Sequence, residues 1–162
     1  MKLTILAVNK HNEIIPPRTK KNHSRIVMPK GWKRPLLLPS EEYVEWEEAA
    51  LLSFCVAGII KKYMTTSSRT GKPKEAYKLA KGEPVNWPVN CRALVYRHMI
   101  NGDSTGFYQA VGDFLQKAGF LLNDKLIAQW DGSRLLKDAN RPRVELELTP
   151  VGEPALFAGG AE

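Results

Sequence analysis

The sequence predicts a single α+β domain in which a mixed β-sheet is packed by two main helices. The chain has 162 residues, of which 43% are apolar, and this is enough for one domain with a sizeable core. Strand-like and helix-like segments follow one another in the order β, long loop, α, loop, β, α, β, β, without an internal repeat. We therefore expect a folded domain over residues 1–149 and a flexible C-terminal tail over residues 150–162.

The N-terminal half begins with a β-rich segment, residues 2–8, which predicts a first strand. Prolines and a glycine interrupt residues 9–38, so this stretch is expected to be extended or hairpin-like rather than helical. Ser40 then offers an N-cap to a helix over residues 41–63, because two glutamates follow it and apolar residues recur at helical spacing. Residues 64–88 are polar and contain several glycines and prolines, which predicts a long basic loop with one helical turn at most.

The C-terminal half alternates strands with one further helix. Residues 89–99 alternate well enough for a long strand, and residues 104–118 place apolar side chains on one helical face. Gly119 is a natural residue to follow the end of that helix. Residues 125–131 and 143–149 predict two further strands.

The net charge of +7 is concentrated in one segment. Residues 9–38 contain eight basic residues and one acidic residue, whereas the rest of the chain carries equal numbers of both signs. Such a block is typical of a surface that binds a polyanion, most often nucleic acid, although a solubilising loop would have the same composition. No apolar run approaches the roughly 18 residues of a membrane span, and the first residues do not resemble a secretion signal. The expectation is a cytoplasmic protein without a membrane partner.

Common catalytic motifs are missing from the sequence. It contains no glycine-rich nucleotide loop, no HExxH pattern and no GxSxG pattern. Cys55 and Cys91 lie 36 positions apart without CxxC spacing, which argues against a disulfide scaffold and a cysteine-based zinc site. The three histidines also lack the spacing of metal ligands.

Two aspartates are the best candidates for a metal site. Asp103 lies between a predicted strand and a predicted helix, and Asp124 opens the strand over residues 125–131. If this strand pairs antiparallel with the strand over residues 89–99, the two carboxylates converge at one edge of the sheet. Paired carboxylates suit Mg²⁺, which takes few protein ligands and keeps waters or phosphate oxygens. On spacing alone, the residues favour a helix cap at Asp103 and a turn at Asp124 over a metal site.

Two further aspartates are weaker candidates for the same site. Asp113 lies ten residues after Asp103, about 15 Å along a helix. Asp131 lies about 23 Å from Asp124 along a straight strand and on its opposite face. We assign both to a supporting shell around the metal, and Asp131 also to a DNA-contacting loop that continues to Arg134. A turn aspartate before a glycine explains Asp131 equally well.

Residues 113–124, with the sequence DFLQKAGFLLND, resemble the D-A-L-x-x-A-G-x-x-x-D-D stretch of the RusA-type Holliday junction resolvases. Residues 16–22 resemble the early basic loop of that family, which contains proline and asparagine. Residues 39–43 resemble the entry to its first helix, and residues 142–145 its closing strand. The similarity runs in the expected order over roughly residues 3–149.

The resemblance implies a RusA-like fold, a symmetric homodimer and Mg²⁺-dependent cleavage of four-way DNA junctions by paired nicks, in DNA recombination and repair. Mn²⁺ is a possible substitute for Mg²⁺. By resemblance, Asp103 and Asp124 are the catalytic metal ligands. Thr105 occupies the position of a second family aspartate and would contribute only a hydroxyl to the metal. Gly106 and Gln109 replace a family asparagine and lysine, respectively.

The DNA-binding residues implied by this reading lie mainly in the basic segment, where they would follow phosphates and supply affinity rather than base readout. They are Arg18, Lys20, Lys21, Asn22, Arg25 and, beyond that segment, Arg134. Two other functions remain open at this point. One is a junction- or branch-binding protein whose catalysis is weakened, and the other is a general nucleic-acid-binding domain in which the aspartates only cap helices.

Overall fold

A computed structural model describes residues 1–19, 25–28, 30–31, 34–68, 70–100 and 103–151. These described residues form two α-helices and eleven β-strands. Their bounds are β1 (Lys2–Ile5), β2 (Ala7–Val8), β3 (Ile14–Ile15), β4 (Arg25–Val27), β5 (Leu36–Leu38), α1 (Glu41–Val56), β6 (Ile60–Thr66), β7 (Pro73–Leu79), β8 (Val89–Arg97), α2 (Ser104–Lys117), β9 (Ile127–Gln129), β10 (Arg134–Lys137) and β11 (Arg143–Pro150).

The central sheet is mixed, as the sequence predicts. Its order is β1-β11-β8-β10, with β9 also paired to β8. β11 runs antiparallel to both β1 and β8, whereas β9 and β10 run parallel to β8. The α+β class with two helices is therefore confirmed.

One hydrophobic core lies between the two helices and one face of this sheet. Alternate residues of β8 and β11 point into it, and an aromatic cluster joins the helices to each other. Phe114 of α2 packs against Trp46 and Phe54 of α1, with ring centroids 5.8 Å and 5.7 Å apart, respectively. Phe54 also meets Phe120 at 5.6 Å. Because the core is shared, the described chain forms one domain.

The first helix is shorter than predicted. It begins at Glu41 after an N-cap at Ser40, whose Oγ accepts from the backbone N–H of Tyr43 at 3.2 Å. It ends at Val56 rather than at residue 63. Gly58 adopts a φ of +69°, and the N–H of Ile59 donates to the carbonyl of Phe54. This is a glycine-based helix termination, and of the two apolar residues after it, which also fit helical spacing, Ile59 precedes the next strand and Ile60 begins it.

Residues 64–88 are not a long loop with a helical turn, which corrects the prediction. β6 and β7 form an antiparallel hairpin in continuous register from Ile60↔Leu79 to Thr66↔Pro73. The lysines and threonines of these strands are exposed, so the apolar alternation that identifies a half-buried strand is absent. For this reason the sequence pattern concealed the hairpin.

The strand predicted over residues 125–131 is also revised. A short 3₁₀ helix, Asp124–Leu126, precedes the brief strand β9, and a turn leads into β10, which was not predicted. Ser133 anchors the turn to β8, because its Oγ accepts from the N–H of Ala93 at 2.8 Å and donates to the carbonyl of Cys91 at 3.0 Å. β9 and β10 thereby follow the same edge of β8.

The remaining predictions near the termini agree closely with the structure. Residues 2–8 form two strands, β1 and β2, rather than one, and the described parts of residues 9–38 consist of short strands and turns. β11 reaches Pro150, one residue beyond the predicted end of the domain, and the rest of the proposed tail from residue 152 lies outside the described residues. Within the described ranges, no helix is long and apolar enough to cross a membrane.

Candidate functional site

An open cleft of about 640 Å³ runs beside α2. Helix α2 forms one side of it, and the segment from Asp124 to Trp130 forms the other. The residues that line it are Thr105, Tyr108, Gln109, Gly112, Asp113, Asp124, Ile127 and Trp130.

The periodicity of α2 explains which of its side chains reach the cleft. Thr105, Tyr108, Gln109, Gly112 and Asp113 are spaced at i, i+3, i+4, i+7 and i+8, which is one face of a helix. The apolar residues between them occupy the opposite face and are buried in the core. The amphipathic pattern that drives α2 onto the sheet therefore also presents Asp113 to the cleft.

Asp124 reaches the cleft from the other side. Its backbone N–H donates to Oε1 of Gln116 at 3.2 Å, and Asn123 caps the short 3₁₀ helix by accepting from the N–H of Lys125 at 2.9 Å. Gly112 makes room for this segment, because a Cβ added there would lie 3.7 Å from Cβ of Asp124. Asp113 and Asp124 are both half-buried and border the same space.

Asp103 takes the capping position that the sequence offered as the alternative to a metal ligand. It is the N-cap of α2, where its Oδ1 accepts from the N–H of Thr105 at 2.9 Å, and it is not among the residues that line the cleft. Its Oδ2 lies beside Gly106, six positions before Gly112, and six helical residues span about 9 Å. The expected antiparallel pairing is wrong, because β9 runs parallel to β8. The cleft therefore places Asp124 beside the part of α2 that carries Gly112 and Asp113, whereas Thr105 lines its other end and Asp103 lies at the helix cap.

An aromatic pair forms part of the cleft wall. Tyr108 and Trp130 stack with ring centroids 5.0 Å apart and planes inclined by 13°. Burial raises the pKa of the Tyr108 phenol above its ordinary value, so the phenol stays protonated at neutral pH. The wall is consequently uncharged, and the carboxylates supply the negative charge of the cleft.

Basic residues gather at the N-terminal end of α2. The guanidinium of Arg97 lies 4.5 Å from the ring centroid of Phe107. Burial lowers the pKa of Arg97, and the positive charge of Arg18 lowers it further. Thr19 is 4% exposed and packs on Gly106, where an added Cβ would lie 3.3 Å from its methyl group. The basic segment is thus anchored on the first turn of α2, one residue from Thr105.

The other residues expected to bind DNA occupy separate places. Arg25 is exposed in β4 and forms an ion pair with Glu41. Arg134 is exposed at the start of β10, in register with Leu94. Lys20, Lys21 and Asn22 lie outside the described residues.

Asp131 lies at the other end of the segment that forms the cleft wall. It is exposed in the turn after β9 and does not line the cleft. Its backbone N–H donates to Oδ1 of Asn90 at 2.8 Å, which holds the turn against β8.

Oxygen donors of the kinds that bind hard divalent cations line the cleft. Asp113, Asp124, Thr105 and Gln109 offer carboxylate, hydroxyl and amide oxygens, which are the ligands that Mg²⁺ accepts. Among the described residues, no cluster of three or more His, Cys, Asp and Glu side chains could hold a metal. These residues therefore do not form a metal site in which the protein supplies every ligand. Both cysteines are free, and burial raises the pKa of the Cys91 thiol to about 12, which makes it a poor nucleophile.

The sequence does not predict that Tyr108, Trp130 and Arg97 contribute to this site. Counting i+3 and i+4 from Thr105 would have identified Tyr108 and Gln109 as its neighbours on the helix surface. No comparable signal pointed to Trp130 or Arg97, because both reach α2 from strands or turns of the sheet.

The chain matches no protein-family model and shows no significant sequence similarity to curated proteins.

Proposed function

We propose that this chain is a Mg²⁺-dependent endonuclease that resolves four-way DNA junctions by paired symmetric nicks, in the manner of the RusA-type resolvases. The observation that carries the proposal is that Asp113 and Asp124 line one cleft from its two sides. The basic segment is anchored through Thr19 at Gly106, on the helix that forms one of these sides. Carboxylates that would hold a metal and cations that would hold phosphates are the two requirements of a metal-dependent nuclease.

Asp124 and Asp113 would hold the ion. The hydroxyl of Thr105 lies eight residues before Asp113, about 12 Å along α2, and would bind a water or a phosphate oxygen at the other end of the cleft. Asp103 caps α2 through its Oδ1, and its Oδ2 lies too far along the helix to share the ion between Asp113 and Asp124, so it would hold a second ion. When bound, Mg²⁺ or Mn²⁺ supplies a nucleophilic water and stabilises the leaving oxygen of the phosphodiester.

The chain's own residues bind and orient the DNA. Arg18 and Arg97 lie at the end of α2 nearest Thr105, where they would hold a phosphate of the strand that enters the cleft. Tyr108 and Trp130 close one side of the cleft with an apolar surface and limit the access of water. Two such sites related by a two-fold axis would nick a junction symmetrically, so the proposal includes a RusA-like homodimer.

The decisive experiment incubates the purified protein with a four-way junction that has a mobile core, in Mg²⁺ and in EDTA. We expect paired nicks on opposite strands in Mg²⁺ and none in EDTA. Asp124→Asn and Asp113→Asn should each lower the cleavage rate by about 100-fold or more, because each removes a carboxylate from the ion.

The matched control is Glu83→Gln, which removes one negative charge from an exposed position away from the cleft. It should cut as fast as the wild type. Cleavage that survives both aspartate substitutions would reject the metal assignment. Light scattering tests the dimer, for which the expected mass is twice the chain mass of 18.2 kDa.

A second candidate is a junction-binding protein that does not cut. The specific observation in its favour is that Thr105 and Gln109 line the cleft at the two positions where the resemblance expects an aspartate and a lysine. This candidate predicts tight, salt-dependent binding to the junction with no nicking in Mg²⁺ or Mn²⁺. Equal binding to junction and linear duplex would instead identify a general nucleic-acid-binding domain.

A further inference from the structure

The hairpin formed by β6 and β7 is the most basic part of the chain outside residues 9–38. Residues 60–82 contain seven basic residues and one acidic residue. The hairpin forms its own two-stranded sheet, and in the described part of the chain it shares no backbone ladder with the central sheet. The positions of these charges are therefore set by the register of the hairpin and not by pairing with the central sheet.

The two faces of the hairpin differ in charge and in surroundings. On the inner face, Lys62 pairs with Glu75 at 2.6 Å, and Tyr77 borders a cleft shared with α1. We define the outer face by Lys61, Tyr63, Thr65 and Lys78, which alternate with the inner residues in the register of the hairpin. All four are exposed, and none is acidic.

Lys61 lies directly opposite Lys78 on this outer face. Like charges in cross-strand pairs destabilise a sheet. Among the described residues, neither lysine forms an ion pair, and Lys78 instead lies 5.5 Å from the centroid of the Tyr63 ring. The repulsion would be relieved by an anion bound across both ammonium groups.

The hairpin is also connected to the helix that lines the cleft. A Cβ added to Gly119, just past the end of α2, would lie 3.0 Å from Cα of Lys78. Gly119 follows Gly112, which adjoins Asp124, by seven residues, so the hairpin meets α2 about 10 Å along its axis from the carboxylates. That separation is comparable to a few phosphate spacings of a DNA strand.

We propose that the outer face of the β6–β7 hairpin is a second DNA-binding surface that grips the phosphate backbone of a duplex arm. Lys61 and Lys78 contact phosphates, and Tyr63 packs between the lysine stems and the sugar-phosphate backbone. The contacts are independent of sequence, because they reach phosphates rather than base edges. This inference rests on the proposed function only for the identity of the ligand as DNA.

The test measures binding of the full-length protein to a junction and to a linear duplex in EDTA, as a function of salt. In the Lys61→Gln/Lys78→Gln variant, the slope of log Kobs against log salt should fall by about 1.8, and binding at 0.1 M salt should weaken at least about tenfold. The loss should be equal for the two DNAs. The melting temperature should stay the same or rise, since the repelling pair is gone.

The matched control is Lys2→Gln/Lys62→Gln, which removes the same charge from β1 and from the inner face of the hairpin. Its salt slope should change by less than about one third as much. An unchanged slope in the outer-face variant, or an equal fall in the control, overturns the inference. If the outer-face variant binds anionic lipid vesicles more weakly but binds DNA as well as the wild type, the inference is also overturned.

Failure of this inference is separable from failure of the proposed function. If the protein cuts junctions but the outer-face variant keeps the wild-type salt slope, the nuclease proposal stands and only the hairpin contact is rejected. A wild-type protein that binds no DNA rejects both. A protein that binds through the hairpin but does not cut retains this inference and rejects the nuclease.

Discussion

At the scale of a single residue, Asp103 has two roles that can be tested separately, one as a helix cap and one as a metal ligand. One oxygen accepts from the N–H of Thr105 and caps α2, whereas the sequence also nominates this carboxylate as a metal ligand. Asparagine is as good an N-cap as aspartate but carries no charge, and alanine is a poor one. Substitution at this one position therefore distinguishes the structural role from the chemical one.

We expect Asp103→Ala to lower the free energy of unfolding by about 1 kcal/mol and Asp103→Asn to leave it nearly unchanged. Urea denaturation measures both. If Asp103 also binds a metal ion, Asp103→Asn lowers the rate of junction cleavage at least about tenfold while the free energy of unfolding stays unchanged. Full cleavage by Asp103→Asn would restrict this residue to capping.

Glu47 shows how a single buried charge ties the two helices together. It is 7% exposed, accepts from the Tyr43 hydroxyl at 2.8 Å, and forms an ion pair with Lys117 at the end of α2. Burial, followed by the charge of Glu47, raises the pKa of Tyr43, so this phenol remains a hydrogen-bond donor. We expect Lys117→Met to destabilise the fold, because it leaves the Glu47 carboxylate buried without its cation.

The Lys117→Met variant is compared with Lys125→Met, which replaces an exposed lysine outside α1 and α2. The first should unfold at a lower urea concentration than the wild type, and the second at nearly the same one. Equal midpoints for the two variants would show that the ion pair with Glu47 adds nothing to stability.

Two helix ends decide the course of the chain at the scale of secondary-structure elements. Gly58 and Gly119 both adopt positive φ angles, +69° and +82°, and both terminate a helix. The sequence predicts a helix end only at Gly119. It does not predict one at Gly58, because Ile59 and Ile60 continue the helical spacing by chance, although Ile60 begins β6.

The two glycines also provide a matched pair for measuring the contact between α2 and the hairpin. A Cβ at Gly58 would meet nothing within 4 Å, whereas a Cβ at Gly119 would lie 3.0 Å from Cα of Lys78. Gly58→Ala should cost about 1 kcal/mol from backbone strain alone, and Gly119→Ala clearly more, within the range of about 1–3 kcal/mol. Equal losses in urea denaturation would show that the hairpin moves aside without cost.

The molecule as a whole is held together where the aromatic cluster joins both helices to the sheet. Phe114 is fully buried and touches Trp46 and Phe54, so it shares in the packing of both helices. Exposed apolar residues such as Leu122, which is 59% exposed, stand apart from this core. Stability should therefore depend strongly on position even among apolar side chains.

We expect Phe114→Ala to lower the free energy of unfolding by about 3–5 kcal/mol, because it leaves a cavity between the helices. Leu122→Ala should change it by no more than about 0.5 kcal/mol. Chemical denaturation of both variants checks the difference. Similar midpoints for the two would contradict a single core centred on Phe114.

Local patterns in the sequence determined the class of the fold, the two helices, most of the central strands and the aspartates of interest. These features follow from capping residues, helical periodicity and strand alternation, which act over a few neighbours along the chain. Asp113 and Thr105 could be placed on α2 in this way, at spacings that face one side of a helix.

The tertiary structure alone decided which of these residues meet. The parallel pairing of β9 with β8 and the missing side chain at Gly112 bring Asp124 to Asp113, while Asp103 remains at the cap. The hairpin likewise became visible only in the fold, because its exposed lysines and threonines lack the apolar alternation that marks a strand. Strand pairing and helix packing join residues that are distant in sequence, and no local pattern encodes that choice.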